Sequence, residues 1–198
     1  MMWMRPNFRC YIPFTRNNAG CKRQFSLISV HTKFPATMYR FQTQRNSCLF
    51  NQQEGKGSYI RDGVTVSENG LVYPMLSPSF PYFNGPVFRP NTCLMQELLR
   101  TDYDHYAEAA EVGGPTTDPL VITIRKDTVI PPSLILFRDE TSRFSLQPSS
   151  PLLLSVFNNM LDEFYSTSAT FTDAVEWMEK HDFHDAFADS ATEDWMGH

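Results

Sequence analysis

No aspartate or glutamate occurs before Glu54, although eight basic residues do: Arg5, Arg9, Arg16, Lys22, Arg23, Lys33, Arg40 and Arg45. The formal net charge of -5 therefore hides a basic leader followed by a clearly acidic remainder. An excess of carboxylates repels phosphates unless Lys and Arg gather on one face. No such gathering follows Arg45, which argues against a nucleic-acid-binding domain. No stretch approaches the ~18 consecutive apolar residues of a membrane span, so a soluble chain is expected. The four cysteines, Cys10, Cys21, Cys48 and Cys93, have the spacing of neither a zinc ribbon nor a disulfide scaffold. They read as reduced thiols of an intracellular protein. Also absent is a Gly-x-Gly-x-x-Gly turn, which excludes a Rossmann-type dinucleotide site, and a Gly-x-Ser-x-Gly turn, which leaves a Ser-His-Asp hydrolase without support.

What is present is enough apolar material for one core. The 198 residues are 41% hydrophobic and 14% aromatic, suited to one domain rather than two. Residues 1–37 are rich in Arg, Ser, Thr and Asn and interleave basic residues with Trp3, Phe8, Tyr11, Phe14 and Phe25. That is the composition of a mitochondrial transit peptide. Within it, Arg23-Gln24-Phe25-Ser26 resembles the Arg-x-Phe-Ser site cut by the matrix processing peptidase. A basic arm with no address, or translation that begins at Met38, fits the same composition. Pro6 and Pro13 also interrupt the amphipathic helix that such a peptide forms.

Residues 39–44 alternate bulky and polar side chains and predict a strand. Residues 55–70 read as a loop around a short strand at 64–66, with Asp62-Gly63 and Asn69-Gly70 as turns, and 71–73 as a second brief strand. Five prolines in the seventeen residues 74–90, among Phe80, Tyr82, Phe83 and Phe88, predict no regular element there. Asn91 or Thr92 caps a helix carrying Leu94, Met95, Leu98, Leu99, Tyr103 and Tyr106 at helical spacing, ended by Gly113-Gly114-Pro115. Residues 120–124 predict a buried strand, and 134–137 with 143–147 a hairpin. Pro151 opens a helix that buries Leu152, Leu153, Val156, Phe157, Met160, Leu161 and Phe164, and the acidic tail 172–198 is expected to be helical. Strands and helices mix without strict alternation, which favours an α+β fold.

Three segments in order resemble the bacterial ADP-ribosyltransferase-like toxin known as type six secretion exported protein two, and the domain family named after it with its eukaryotic relatives. The first is Tyr39-Arg40, then Arg61-Asp62-Gly63 and Gly70-Leu71 with Tyr73-Pro74, where that family has an Arg-Asp-Gly-Leu-Tyr-x-Pro run. The second is Ile130-Pro131-Pro132-x-Leu134 leading to Asp139. The third is Phe144-Ser145-Leu146-x-Pro148, Pro151 and the helix ending in Leu161-Asp162-x-Phe164. The resemblance implies a single mixed domain with a split, antiparallel-rich sheet and flanking helices around an NAD-binding cleft. It also implies transfer of ADP-ribose from NAD as substrate, and a possible antitoxin or other protein partner. The domain is expected at 38–165, between the leader 1–37 and an acidic extension 166–198.

Cleaving the nicotinamide bond develops an oxocarbenium-like ribose, so the site needs a cation or backbone amides for the pyrophosphate, aromatic walls for nicotinamide and a polar or acidic group near the ribose. The resemblance assigns Arg40, beside Tyr39, to the dinucleotide; the alternative for Arg40 is a surface position on an edge strand. Tyr73, Tyr82 and Phe83 are candidates for stacking on nicotinamide, or simply pack a proline-rich loop onto the core. The loop Ser77-Pro78-Ser79-Phe80 lies where the family has a Thr-Ser pair before a Phe, although the diglycine before that pair is missing here, so either Ser79 or Ser77 is its counterpart. Arg143 stands where the family has His, with Phe144 and Ser145 for its Tyr and Thr. An Arg clamps phosphate but does not act as a general base near neutral pH. Gln147 and Glu140 are the candidates for the group aimed at the ribose.

His181 and His184, with Asp182 and Asp185, have the i, i+3 spacing of metal ligands but lack a third. A solvated acidic face that docks through Trp177 and Phe187 is the better account, and no metal site is expected. Two other functions compete with the transferase. One is a catalytically silent relative that binds a protein, which Arg143 favours; the other is a small mitochondrial structural protein. The acceptor of ADP-ribose is not legible.

Overall fold

The computed structural model describes residues 29–52, 62–74, 84–114, 119–138 and 143–181. Its centre is a seven-stranded sheet in the order β1-β8-β9-β6-β2-β7-β11, in which every neighbouring pair is antiparallel. The strands are β1 (Ser29–His31), β2 (Met38–Gln42), β6 (Val87–Pro90), β7 (Leu120–Ile124), β8 (Leu134–Arg138), β9 (Phe144–Pro148) and β11 (Ala169–Asp173). Two small pairs lie outside it: β3 (Phe50–Asn51) with β4 (Gly63–Val64), and β5 (Leu71–Val72) with β10 (Leu152–Leu153). The helices are α1 (Cys93–Glu111), α2 (Leu154–Ser168) and α3 (Ala174–Lys180). The fold is therefore α+β, as the mixed pattern of elements implies.

Side chains alternate across a strand, and here the alternation separates two cores. Met38, Phe88, Ile122, Ile124, Leu136, Phe144 and Leu146 face α2, which supplies Phe157, Leu161, Phe164 and Tyr165. On the opposite face, Val121, Tyr39 and Phe41 meet Met95 and Leu99 of α1 and Ala174 and Trp177 of α3. Helix α2 is positioned by its apolar stripe, since Leu153, which precedes it, supplies no side-chain cap. Helix α1 begins where Thr92 Oγ1 accepts the Met95 N–H at 3.2 Å, and it ends before Gly113, whose φ of +87° only glycine adopts without strain.

The sheet is split. Strands β2 and β6 pair only at Met38 with Pro90 and Tyr39 with Arg89. Beyond that point Arg40, Phe41 and Gln42 pair with β7 alone, while Val87 and Phe88 pair with β9 alone. Pro90 has no N–H to give, which limits the ladder at the joint. The hairpin of 134–137 and 143–147 is present as β8 and β9, and the strand expected at 120–124 is β7.

Several boundaries differ from the sequence-based expectations. The proline-rich stretch contains β6, because Pro86 precedes the strand and Pro90 ends it, the positions where a missing donor costs least. Leu152 and Leu153 form β10 rather than a first helical turn, since their backbone pairs with Val72 and Leu71. Leu153 and Val156 are consequently exposed, as is Leu94 of α1. The folded unit also exceeds 38–165. On one side, β1 pairs with β8 while Phe34 and Ala36 are buried; on the other, β11 completes the sheet and Trp177 enters the second core. The leader up to residue 28, with the Arg-x-Phe-Ser run, lies outside the described residues, as do Phe187 and the rest of the tail beyond 181. Among the described residues no helix is long and apolar enough to cross a membrane, and neither Cys48 nor Cys93 forms a disulfide.

Candidate functional site at the split of the sheet

Arg40 sits on β2 where the pairing with β6 stops, and by alternation it shares the α2 face with Met38 and Gln42. It is neither on an edge strand nor on the surface: its side chain is 4% exposed. A buried guanidinium requires compensation. Its Nη2 donates to Asp62 Oδ1 in an ion pair, and its Nε donates to Gln42 Oε1 at 3.3 Å. Asp62 directly precedes β4 and lies against Cys48, whose Sγ is 3.9 Å from Asp62 Oδ2. Burial, and then the Asp62 charge, push the Cys48 thiol pKa up, against a smaller lowering by Arg40.

The chain leaving β2 is fixed by side chains on two elements. Gln42 Nε2 donates to the carbonyls of Gln44 (2.6 Å) and Asn46 (2.9 Å). One turn apart on α2, Asn158 and Asp162 hold the next residues. Asn158 accepts the Leu49 N–H and donates to the Leu49 carbonyl, both at 3.0 Å, and Asp162 Oδ1 accepts the Ser47 N–H at 2.5 Å. Cys48 and its neighbours are thus held against α2 beside Arg40.

Tyr165, also on α2, closes this region from the core side. Its ring meets Phe88 of β6 edge-on at 6.1 Å, and continuing the register of β2 with β6 puts Phe88 level with Arg40. The Tyr165 hydroxyl is buried and has no hydrogen-bond partner among the described residues. An unmet buried hydroxyl costs about 1–3 kcal/mol.

The opposite face carries the other candidates. Ser145 and Gln147 alternate with Phe144 and Leu146 on β9, so they point away from α2 and from Arg40. Both are fully buried. Gln147 Nε2 donates to Ser145 Oγ at 3.2 Å, and Ser145 Oγ donates to the Gly85 carbonyl at 3.5 Å. Gly85 crosses β9 so closely that a Cβ there would run into the Leu146 carbonyl. Beside it, Asn84 accepts the Thr65 N–H at 2.6 Å and donates to the carbonyls of Thr65 (3.2 Å) and Tyr73 (2.7 Å). Tyr39 shares this face and packs edge-on against Trp177 at 5.0 Å and His181 at 5.5 Å.

The residues expected to form one constellation therefore fall into two groups. Arg40 stands with Asp62, Gln42, Cys48 and Tyr165 on the α2 face; Ser145, Gln147 and Tyr39 lie on the other. Tyr73 is 44% exposed beside β5. Arg143 is half-buried and directly precedes β9. Ser79, Tyr82, Phe83, Glu140 and His184 lie outside the described residues. His181, at the end of α3, stacks on Trp177 of the same helix at 4.1 Å with its Nδ1 2.9 Å from the Trp177 carbonyl oxygen, and its ring meets Tyr39 of β2 edge-on. In the sequence Asp62 reads only as part of a turn and of the Arg61-Asp62-Gly63 run, with no place in the site. Tyr165 is not singled out there either, although its spacing of four from Leu161 and eight from Phe157 places it on the buried stripe.

The family model of the Tse2 ADP-ribosyltransferase toxin matches residues 36–177, close to the whole folded unit. No curated protein and no solved structure matches the chain. The family match spans both half-sheets, the split between them and the buried Arg40, and on that ground the chain belongs to the Tse2 ADP-ribosyltransferase toxin family.

Proposed function

We propose that this protein cleaves NAD at the nicotinamide glycosidic bond and passes ADP-ribose to an acceptor, with the dinucleotide entering the split between β2 and β6. The observation that carries this reading is a buried, oriented arginine at the point where the two strands part, in a chain of an ADP-ribosyltransferase family. Nicotinamide departs with the bonding electron pair. The ribose carbon, now oxocarbenium-like, takes an electron pair from the acceptor, which then loses its proton. Arg40 is assigned to the pyrophosphate. Its Nε and Nη2 are committed to Gln42 and Asp62, which fixes the guanidinium plane and leaves Nη1 to donate.

Ser145 and Gln147 are assigned a bracing part, because their hydrogen bonds run to one another and to Gly85. Arg143 supplies positive charge and no base. Tyr82 and Phe83 are kept as candidates for stacking on nicotinamide and Ser79 as a counterpart of the family's Thr-Ser pair, and the acceptor is a protein, a nucleic acid, a small molecule or water.

The test uses NAD labelled on its adenylate half, added to the protein with a cell extract. Label that moves onto a macromolecule or small molecule identifies the acceptor. Intact NAD after incubation, with no binding detected, returns the chain to the silent, protein-binding reading that the Arg143 substitution favours.

A further inference from the structure

Tyr165 presents a buried donor that no described residue accepts from. The residue is 1% exposed, its ring packed between Phe88 and Phe164 at centroid distances of 6.1 and 6.0 Å. A phenylalanine would supply the same ring contacts without an unmet hydroxyl. Buried polar groups in folded proteins are paired almost everywhere, so an unmet one calls for a specific explanation, of which a bound partner is one. The groups around this hydroxyl are those of the split: Arg40 and Asp62 act on it electrostatically, as does Asp162. Phe88, which touches the ring, lies level with Arg40 on the neighbouring strand.

We propose that the Tyr165 hydroxyl is a further NAD-binding group, donating a hydrogen bond to a ribose hydroxyl or phosphate oxygen of the dinucleotide beside Arg40. This rests on the NAD reading above. Burial raises the hydroxyl's pKa, with Asp62 and Asp162 adding to the rise and Arg40 opposing it, so the group stays protonated and able to donate near neutral pH. Helix α2 thereby contributes to the site from the core side, through a residue that also packs the core.

Tyr165→Phe separates the two parts the residue plays. A neutral hydrogen bond made only to bound NAD predicts a KM for NAD raised roughly five- to tenfold, with kcat within about twofold of wild type. The melting temperature is expected to be unchanged or higher, because the free protein loses an unmet donor. An unchanged KM, whatever the melting temperature does, overturns the proposal, and so does an equal fall of kcat and kcat/KM without a change in KM. A wild-type protein that neither releases nicotinamide nor gains thermal stability from NAD removes the NAD reading and this one with it. An active wild type with an unchanged Tyr165→Phe KM removes only the tyrosine.

Discussion

Arg40 and Asp62, twenty-two residues apart in the chain, form a buried ion pair at the place where β2 and β6 stop pairing. Neither charge is well solvated, so each depends on the other. Asp62→Ala leaves the guanidinium uncompensated and is expected to lower unfolding stability by about 3–5 kcal/mol. The double replacement Arg40→Met with Asp62→Leu is expected to recover most of that loss. Urea denaturation of the two variants measures both; a loss below ~1 kcal/mol for Asp62→Ala means that the pair is not structurally required.

The same carboxylate controls Cys48. Burial and Asp62 raise the thiol pKa above its ordinary 9.0, so the reactive thiolate is scarcer in the folded protein than in the unfolded chain. Peptide-resolved alkylation near pH ~8 is expected to be slower at Cys48 in the folded state. Asp62→Asn removes a raising charge and leaves the lowering charge of Arg40, so it is expected to speed the reaction. Slower alkylation in that variant contradicts the assignment.

At the edge of the sheet, His31 of β1 packs against Phe144 at 5.7 Å, near Arg138. Burial, and then Arg138, hold its pKa below 6.5. The folded-state value is thus the lower one, and the unfolded chain takes the proton first as the pH falls. Stability is complete above pH ~6.5 and declines on acidification through the folded pKa. His31→Asn is expected to lose less unfolding free energy than wild type between pH ~7.5 and pH ~5. Parallel losses in the two proteins rule this out.

Asn158 makes two hydrogen bonds to the backbone of Leu49, which no other described side chain duplicates. Asn158→Ala is expected to cost about 2 kcal/mol and to speed hydrogen exchange at the Leu49 amide, since that N–H loses its acceptor. Unaltered exchange there disproves the clamp.

Much of the architecture was legible in the sequence where burial and periodicity agree. The apolar run of β7, the hairpin of β8 and β9 and the Thr92 cap of α1 follow from local chemistry. The exceptions are set by distant partners. Strand β6 forms among prolines because Val87 and Phe88 find β9, and Leu152 and Leu153 leave the helix because Leu71 and Val72 pair with them. Phe34 and Ala36 join the core although their neighbourhood reads as a basic leader, since composition does not reveal that β1 has a partner in β8. For the site, the family resemblance singles out Arg40 in the sequence, while its burial and its ion pair with Asp62 are set by the fold. The separation of Arg40 from Ser145 and Gln147 depends on the strand alternation of β2 and β9 in one shared sheet, and no local pattern carries that information.

Arg40, fixed by Asp62 and Gln42, is proposed to serve NAD cleavage where β2 and β6 part. Nicotinamide release from NAD, followed for the wild type and for Arg40→Lys, tests this role most directly. The lysine keeps a positive charge for Asp62 but loses the planar fork. Release by the wild type that falls at least about tenfold in the variant, with the variant still folded, is the predicted result. Equal release by the two proteins, or none by a folded wild type, contradicts the account.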